Sequence, residues 1–199
     1  MRKLTFTKTV AFLLLALGFS AAVSRPALAQ GGSLVDLGVD YNYVRTNVPA
    51  AGCGCFSLSG GNGWVAFKIS HSLDIVGEIA SQHASNISST GADLTLTSFL
   101  AGPRFRWNPT RRFAPFGQAL LGGAHAGGSL APGNSGLPGS PNALALIVGG
   151  GLDIALTRRF AVRALEADYY LTRFDNGVND HQNNLRIAAG VIMRFGGSN

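Results

Sequence analysis

The stretch NLRIAAGVIMRF, residues 184–195, decides the fold. Leu185, Ile187, Ala189, Val191, Met193 and Phe195 are all apolar, and Arg186, Ala188, Gly190, Ile192 and Arg194 stand between them. A period of two is that of a β-strand, whose successive side chains point to opposite faces. One face of this strand is therefore hydrocarbon and the other carries two arginines. Which face meets a core and which meets solvent depends on the neighbouring strands.

Seven further segments alternate in the same way, at about 34–45, 62–70, 73–83, 93–107, 113–125, 143–156 and 160–173. The first sets Val35, Leu37, Val39, Tyr41 and Tyr43 against Asp36, Gly38, Asp40 and Asn42. The second sets Val65, Phe67 and Ile69 against Trp64, Ala66 and Lys68, and the third sets Leu73, Ile75 and Ile79 against Asp74, Val76 and Glu78. Glycine leaves the faces of the fifth undecided. The seventh slips phase, because Arg163 and Glu166 both read as polar-face residues yet stand three apart. A β-bulge near Ala164 and Leu165 restores the alternation.

The connections alternate too. Those at 70–72, 108–112 and 157–159 are short, whereas those at about 46–61, 84–92, 126–142 and 174–182 are longer and rich in Gly, Ser, Asn and Pro. A closed antiparallel barrel with an even number of strands has this signature, with short turns on the periplasmic side and long loops outside. The expected fold class is all-β: an eight-stranded antiparallel up-and-down transmembrane β-barrel.

Composition agrees with a membrane exterior. Charged residues are 13% of the chain, about half the usual share of roughly 25%. Past residue 29 the only lysine is Lys68, where a water-facing surface normally carries many. Residues 1–29 read as a signal peptide: a basic start at Arg2, Lys3 and Lys8, an apolar run over 10–23, and Ala27-Leu28-Ala29 as the cleavage motif. This places the barrel domain in 30–199. The leader holds four of the 16 basic residues and none of the 10 acidic ones, so the net charge of +6 falls to +2 on cleavage. The high pI therefore gives no reason to expect a nucleic-acid partner.

Alternation does not say which face points outward, since a soluble lipocalin-like barrel has apolar residues inside and polar ones outside. Two features favour the inverted arrangement. The polar face is nearly charge-balanced, with Asp36, Asp40, Asp74, Glu78, Asp153, Glu166 and Asp168 against Lys68, Arg104, Arg106, Arg163, Arg186 and Arg194. Such groups pair in a narrow lumen. Aromatic residues also gather at segment ends: Trp107, Phe113, Phe160 and Phe195 beside short turns, and Tyr43, Trp64, Tyr169 and Phe174 toward long loops. Two interfacial girdles are expected from that placement.

The segments LGVDYNYVR, AGPRFRW, APFGQALLGGAHA, GGGLDIALTRRFAVRALEADYYLTRF and LRIAAGVIMRF resemble the OmpA-like family of small outer-membrane β-barrels, over most of residues 34–195. The resemblance implies the bacterial outer membrane, with outer-membrane lipid, lipopolysaccharide and the β-barrel assembly machinery as partners, and no cofactor. Family members commonly end on an aromatic residue, whereas Phe195 is followed here by Gly-Gly-Ser-Asn.

Three patterns bear on chemistry. In an eight-stranded barrel side chains just fill the interior, so Lys68, Glu78, Arg104, Asp153, Glu166, Asp168 and Arg186 are expected as interior charges, in a plugged lumen in preference to a narrow pore. Cys53 and Cys55 flank a single glycine in the first long loop; they suit a strained or intermolecular disulfide or a pair of thiols, and two thiolates alone do not complete a zinc site. The QHASN stretch, 82–86, is similar to the His-x-Ser-Asn pattern of outer-membrane lipid A deacylases. That resemblance implies His83 as base and Ser85 as nucleophile, with Asn86 at the oxyanion. The family's downstream glutamate has no counterpart, and Asp93 is the nearby acid. The expected function is accordingly non-enzymatic: a structural, adhesive or interaction role carried by extracellular loops with an unidentified partner. A lipid A deacylase, a narrow pore and a secreted ligand-binding barrel are the alternatives.

Overall fold

A computed structural model describes residues 33–46, 56–87, 91–132, 139–174 and 181–196. The leader at 1–29 and the Cys53/Cys55 pair lie outside them. Eight strands follow in order: β1 (Val35–Arg45), β2 (Ser57–Lys68), β3 (Leu73–Ile87), β4 (Ala92–Arg106), β5 (Phe113–Gly127), β6 (Asn142–Ala155), β7 (Phe160–Thr172) and β8 (Gln182–Phe195). Each pairs antiparallel with the next, and β8 returns to β1, closing the barrel. The closing register sets Val35 opposite Phe195 and Arg45 opposite Leu185. Closure leaves no strand edge with unpaired backbone groups, the condition for a sheet in hydrocarbon.

The phase slip in β7 is a bulge. Arg163 pairs with Gly190 and Glu166 with Ala188, so three residue steps on β7 oppose two on β8. Ala164 and Leu165 are both exposed at that point, whereas Arg163 and Glu166 are both buried. The extra residue returns the polar set to the inside.

The strands on the long-loop side run further than alternation of hydrophobicity reveals. β2 begins at Ser57 and β3 continues to Ile87. Ser59 pairs with both Tyr43 and His83. Hydrogen bonding continues where outward side chains become Ser, Thr and His, because a ladder needs no apolar face once it leaves hydrocarbon. The connections there shorten to 46–56, 88–91, 128–141 and 173–181.

The exterior is apolar: Val39, Phe99, Leu121, Leu165 and Val191 each expose more than half of their surface. Water would not tolerate a continuous belt of that kind on a monomer, whereas a bilayer core does. The apolar-inside arrangement of a soluble lipocalin-like barrel is therefore not the one adopted. Trp107, Phe113, Phe160 and Phe195 form an exposed aromatic collar beside the short turns, with Phe105 and Trp107 packed edge to face at 4.8 Å.

The opposite collar differs from expectation. Tyr43 and Tyr169 face outward, but Trp64 and Phe174 are buried, at 4% and 7% exposure. Trp64 shares its strand face with Asn62 and Ala66, so strand parity turns the indole into the lumen whatever its amphipathic character. Gly38, its partner across β1, makes the room: a Cβ there would overlap the indole. Gly38→Val is expected to lower stability by about 1–3 kcal/mol through overpacking. Urea unfolding in detergent micelles, with tryptophan emission as a second readout, checks this.

Candidate functional site

The barrel interior holds seven of the chain's 10 acidic residues together with four arginines. Asp36, Asp40, Asp74, Glu78, Asp153, Glu166 and Asp168 are buried, as are Arg104, Arg106, Arg163 and Arg186. Lys68 and Arg194 are half-buried, near the periplasmic rim. Each of these residues falls on the inward parity of its strand.

The charges form a connected network. Arg186 from β8 pairs with Glu78 of β3, with Glu166 at 2.7 Å and with Asp168 at 2.8 Å. Arg163 from β7 pairs with Asp153 at 3.0 Å, with Glu166 at 2.5 Å and with Asp40 at 3.4 Å. Glu166 thus joins the two arginines. Asn62 extends the network by donating to Glu78 at 3.1 Å and to Asp40 at 3.4 Å. Near the short turns Arg106 makes a separate cluster, 2.6 Å from both Asp36 and Asp74.

Arg104 is held differently. Its guanidinium donates twice to Gln118, at 2.9 and 2.8 Å, and lies over Trp64 and Phe116, at 4.3 and 4.9 Å from the ring centres. Arg163 also meets both rings, each at 4.4 Å. Both cations thus share the same two aromatic rings, whose π systems suit guanidinium where water is excluded. The Trp64 indole N–H donates to Asp40 at 2.7 Å.

Trp64, Phe116, Asn62 and Gln118 belong to this site, although hydropathy does not point to them. For Trp64 the signal is parity with Asn62 and Ala66. For Phe116 the surrounding glycines conceal it, and the register with β6 settles its face.

The lumen is also not polar throughout. Val76, Leu100, Leu120, Ile147 and Ile192 are fully or almost fully buried inside it. Toward the long loops Val44, Leu58, Ile87, Leu96, Ala131 and Phe174 belong to the same buried apolar cluster, with Phe56, Leu94 and Leu130 packed against it. The extracellular end of the lumen is thus stoppered by hydrocarbon above a layer of paired charge. Among the described residues, no three His, Cys, Asp or Glu stand where they would hold a metal ion.

The QHASN stretch lies on β3. His83 and Ser85 are both exposed. The His83 ring shares a hydrogen bond from Nδ1 with the Thr95 hydroxyl at 2.9 Å. Asn86 adopts the left-handed region, with φ 51°, and its side-chain oxygen accepts from the Gly91 amide at 3.1 Å. Asp93 is bound to Ser129: its carboxylate accepts from that residue's hydroxyl at 2.8 Å and from its amide at 3.1 Å. His83, Asn86 and Asp93 are thus engaged in separate contacts, two of which tie down turns.

An outward apolar belt, an inward charge network and alternating loop lengths belong to one architecture, and comparison with known proteins agrees. No curated protein matches the chain. Among solved structures, Neisserial surface protein A superimposes with a TM-score of 0.61 at 18% identity, over 83% of this chain and 100% of that one. The Ail protein of Yersinia pestis gives 0.53 at 20% identity, over 83% and 100%, and OprG of Pseudomonas aeruginosa 0.56 at 10%, over 84% and 99%. At those identities the likeness is one of fold. The sequence pattern of the outer membrane protein beta-barrel domain matches residues 11–195. The protein belongs to that family, as an eight-stranded barrel of the bacterial outer membrane.

Proposed function

We propose that the protein is a non-enzymatic surface barrel, exported with cleavage of residues 1–29, whose extracellular loops make contacts outside the cell. One observation carries this reading: the lumen is filled by paired charge and stoppered by apolar side chains at its outer end. A filled barrel is a scaffold, and recognition passes to the loops that it holds. The third connection is anchored for such a role. Ser129 is fixed to Asp93 at 2.8 Å, and the Leu130 amide donates to the Asp93 carbonyl at 3.2 Å.

Outer-membrane lipid and lipopolysaccharide surround the barrel in this reading, and the β-barrel assembly machinery inserts it. Nucleic acid is not a partner, since the positive excess lies largely in the leader. The identity of the extracellular partner is what the loops decide. Bacteria expressing the protein are expected to bind host or neighbouring cells through residues 46–56 and 128–141. Replacing both with short Gly-Ser connections should abolish that binding while leaving the heat-modifiable folded band on gels unchanged. Envelope protein purified from the same cells should begin at Gln30.

Two measurements oppose the alternatives. Lipid A from expressing cells is expected to keep its full acyl complement by mass spectrometry; an acyl loss that disappears in His83→Ala would establish the deacylase instead. Planar bilayers containing the protein are expected to show no steady conductance, and discrete steps would contradict the filled lumen.

A further inference from the structure

We infer that the periplasmic rim of the barrel is a binding surface for anionic phospholipid headgroups, built from Arg111, Arg112, Arg158 and Arg159. The proposal rests on the barrel being membrane-inserted and is independent of what the extracellular loops bind.

Arg111 and Arg112 end the turn between β4 and β5, and Arg158 and Arg159 end the turn between β6 and β7. All four are exposed. Backbone pairing fixes the two turns to neighbouring strands: the Arg112 carbonyl accepts from the Ala155 amide, and the Arg159 carbonyl from the Arg194 amide, both at 2.8 Å. The four side chains thus lie on the arc of rim spanned by β5 to β8.

Among the described residues no carboxylate side chain is exposed on that side: Asp36 and Asp74 are there, but buried and paired with Arg106. Of the 10 acidic residues, seven are buried in the lumen. Asp93, the other acidic residue among those described, stands at the far end of β4. The rim's charge is therefore not neutralised by the barrel's own surface acids.

Depth selects the ligand. Arg112 directly precedes Phe113 and Arg159 directly precedes Phe160, and both phenylalanines belong to the exposed aromatic collar. The Arg112 guanidinium lies 5.9 Å from the centre of the Phe113 ring. Aromatic collars sit at the bilayer interface, so the arginines are held at the level of lipid phosphates. The turns that carry them are too short to project far beyond it. A planar guanidinium matches a phosphodiester with two parallel hydrogen bonds. The ligand class is thus an anionic phosphodiester lipid of the inner leaflet, phosphatidylglycerol in type.

The chain's two tryptophans provide the test. Trp107 is half-exposed in the collar, whereas Trp64 is shielded in the lumen. The full-length protein is reconstituted into phosphatidylcholine vesicles, and quenching of Trp107 by brominated phosphatidylglycerol is compared with quenching by brominated phosphatidylcholine. Relative association is expected to favour the anionic lipid by roughly threefold to tenfold. The preference should vanish at about 0.5 M salt, where screening lengths fall to roughly 4 Å. It should fall to unity in the variant carrying R111Q, R112Q, R158Q and R159Q, and persist when the same four positions carry lysine. R111Q/R112Q and R158Q/R159Q alone should each lose part of it, so the answer does not depend on assembly of the fourfold variant. A ratio of unity in the wild type overturns the proposal, as does a preference that survives the glutamine changes. A ratio of unity together with arginine-dependent sedimentation with peptidoglycan also overturns it and assigns the rim to cell-wall carboxylates. Failure of the wild type to insert would instead overturn the membrane-spanning reading and this one with it.

Discussion

Arg186→Leu is expected to cost about 3–5 kcal/mol of folded stability, the loss that follows when one partner of a buried ion pair is removed. The arginine is fully buried and contacts Glu78, Glu166 and Asp168, all of which are at most 5% exposed. Without it Arg163 still pairs with Glu166 at 2.5 Å, but Glu78 and Asp168 lose their cation. Their negative charge then has neither water nor a counter-ion. Urea unfolding in micelles, followed by the heat-modifiable gel shift, measures the change. Adding Glu78→Gln and Asp168→Asn to Arg186→Leu should recover much of the loss, because the excess charge goes with the arginine. A loss under about 1 kcal/mol for Arg186→Leu would mean that the network is too hydrated to matter, below the range for desolvated pairs.

Val191→Arg tests the opposite face of the same strand. Val191 is 62% exposed, in the middle of the outward set of β8, opposite Val39 on β1 and Val162 on β7. An arginine at the bilayer midplane costs about 2–4 kcal/mol, falling to about 0–1 near the interfaces. The folded fraction recovered in phosphatidylcholine vesicles is therefore expected to drop steeply for Val191→Arg. Leu185→Arg, near the outer end of the same face and opposite Arg45, should drop little. Equal yields for the two variants would contradict the depth assignment.

Arg186→Leu and Val191→Arg lie five residues apart and destabilise for opposite reasons. One removes a charge from a place that needs it, and the other adds a charge where nothing receives it. A soluble half-buried strand would reverse both expectations. Leucine for an outward arginine would cost little there, and arginine would unfold the protein from the core side.

Much of this was legible in the residues. Alternation in 34–45 and 184–195 gave the strands their faces, and the three-residue spacing of Arg163 and Glu166 gave the bulge. Loop lengths gave the strand count its even parity. Strand ends were less legible, because Ser57 and Ser59 pair without displaying an apolar face. Trp64 was misleading by type: an amphipathic ring near a segment end suits an interface, yet parity and the space over Gly38 take it inside. The apolar stopper was also hidden. Val44, Leu58 and Leu96 are scattered over three strands, and only closure brings them together.

The sequence by itself determined the period, the strand number and which residues share a face, because these are local properties of an extended backbone. Tertiary structure alone decided how the inward residues pair. Glu78 meets Arg186 across 108 positions of sequence and Asp40 meets Arg163 across 123. Ion pairing depends on distances across the lumen, and barrel closure and register set those distances. The same closure brings Val44, Leu58 and Leu96 into one apolar cluster toward the long loops and sets four arginines on one arc of the periplasmic rim.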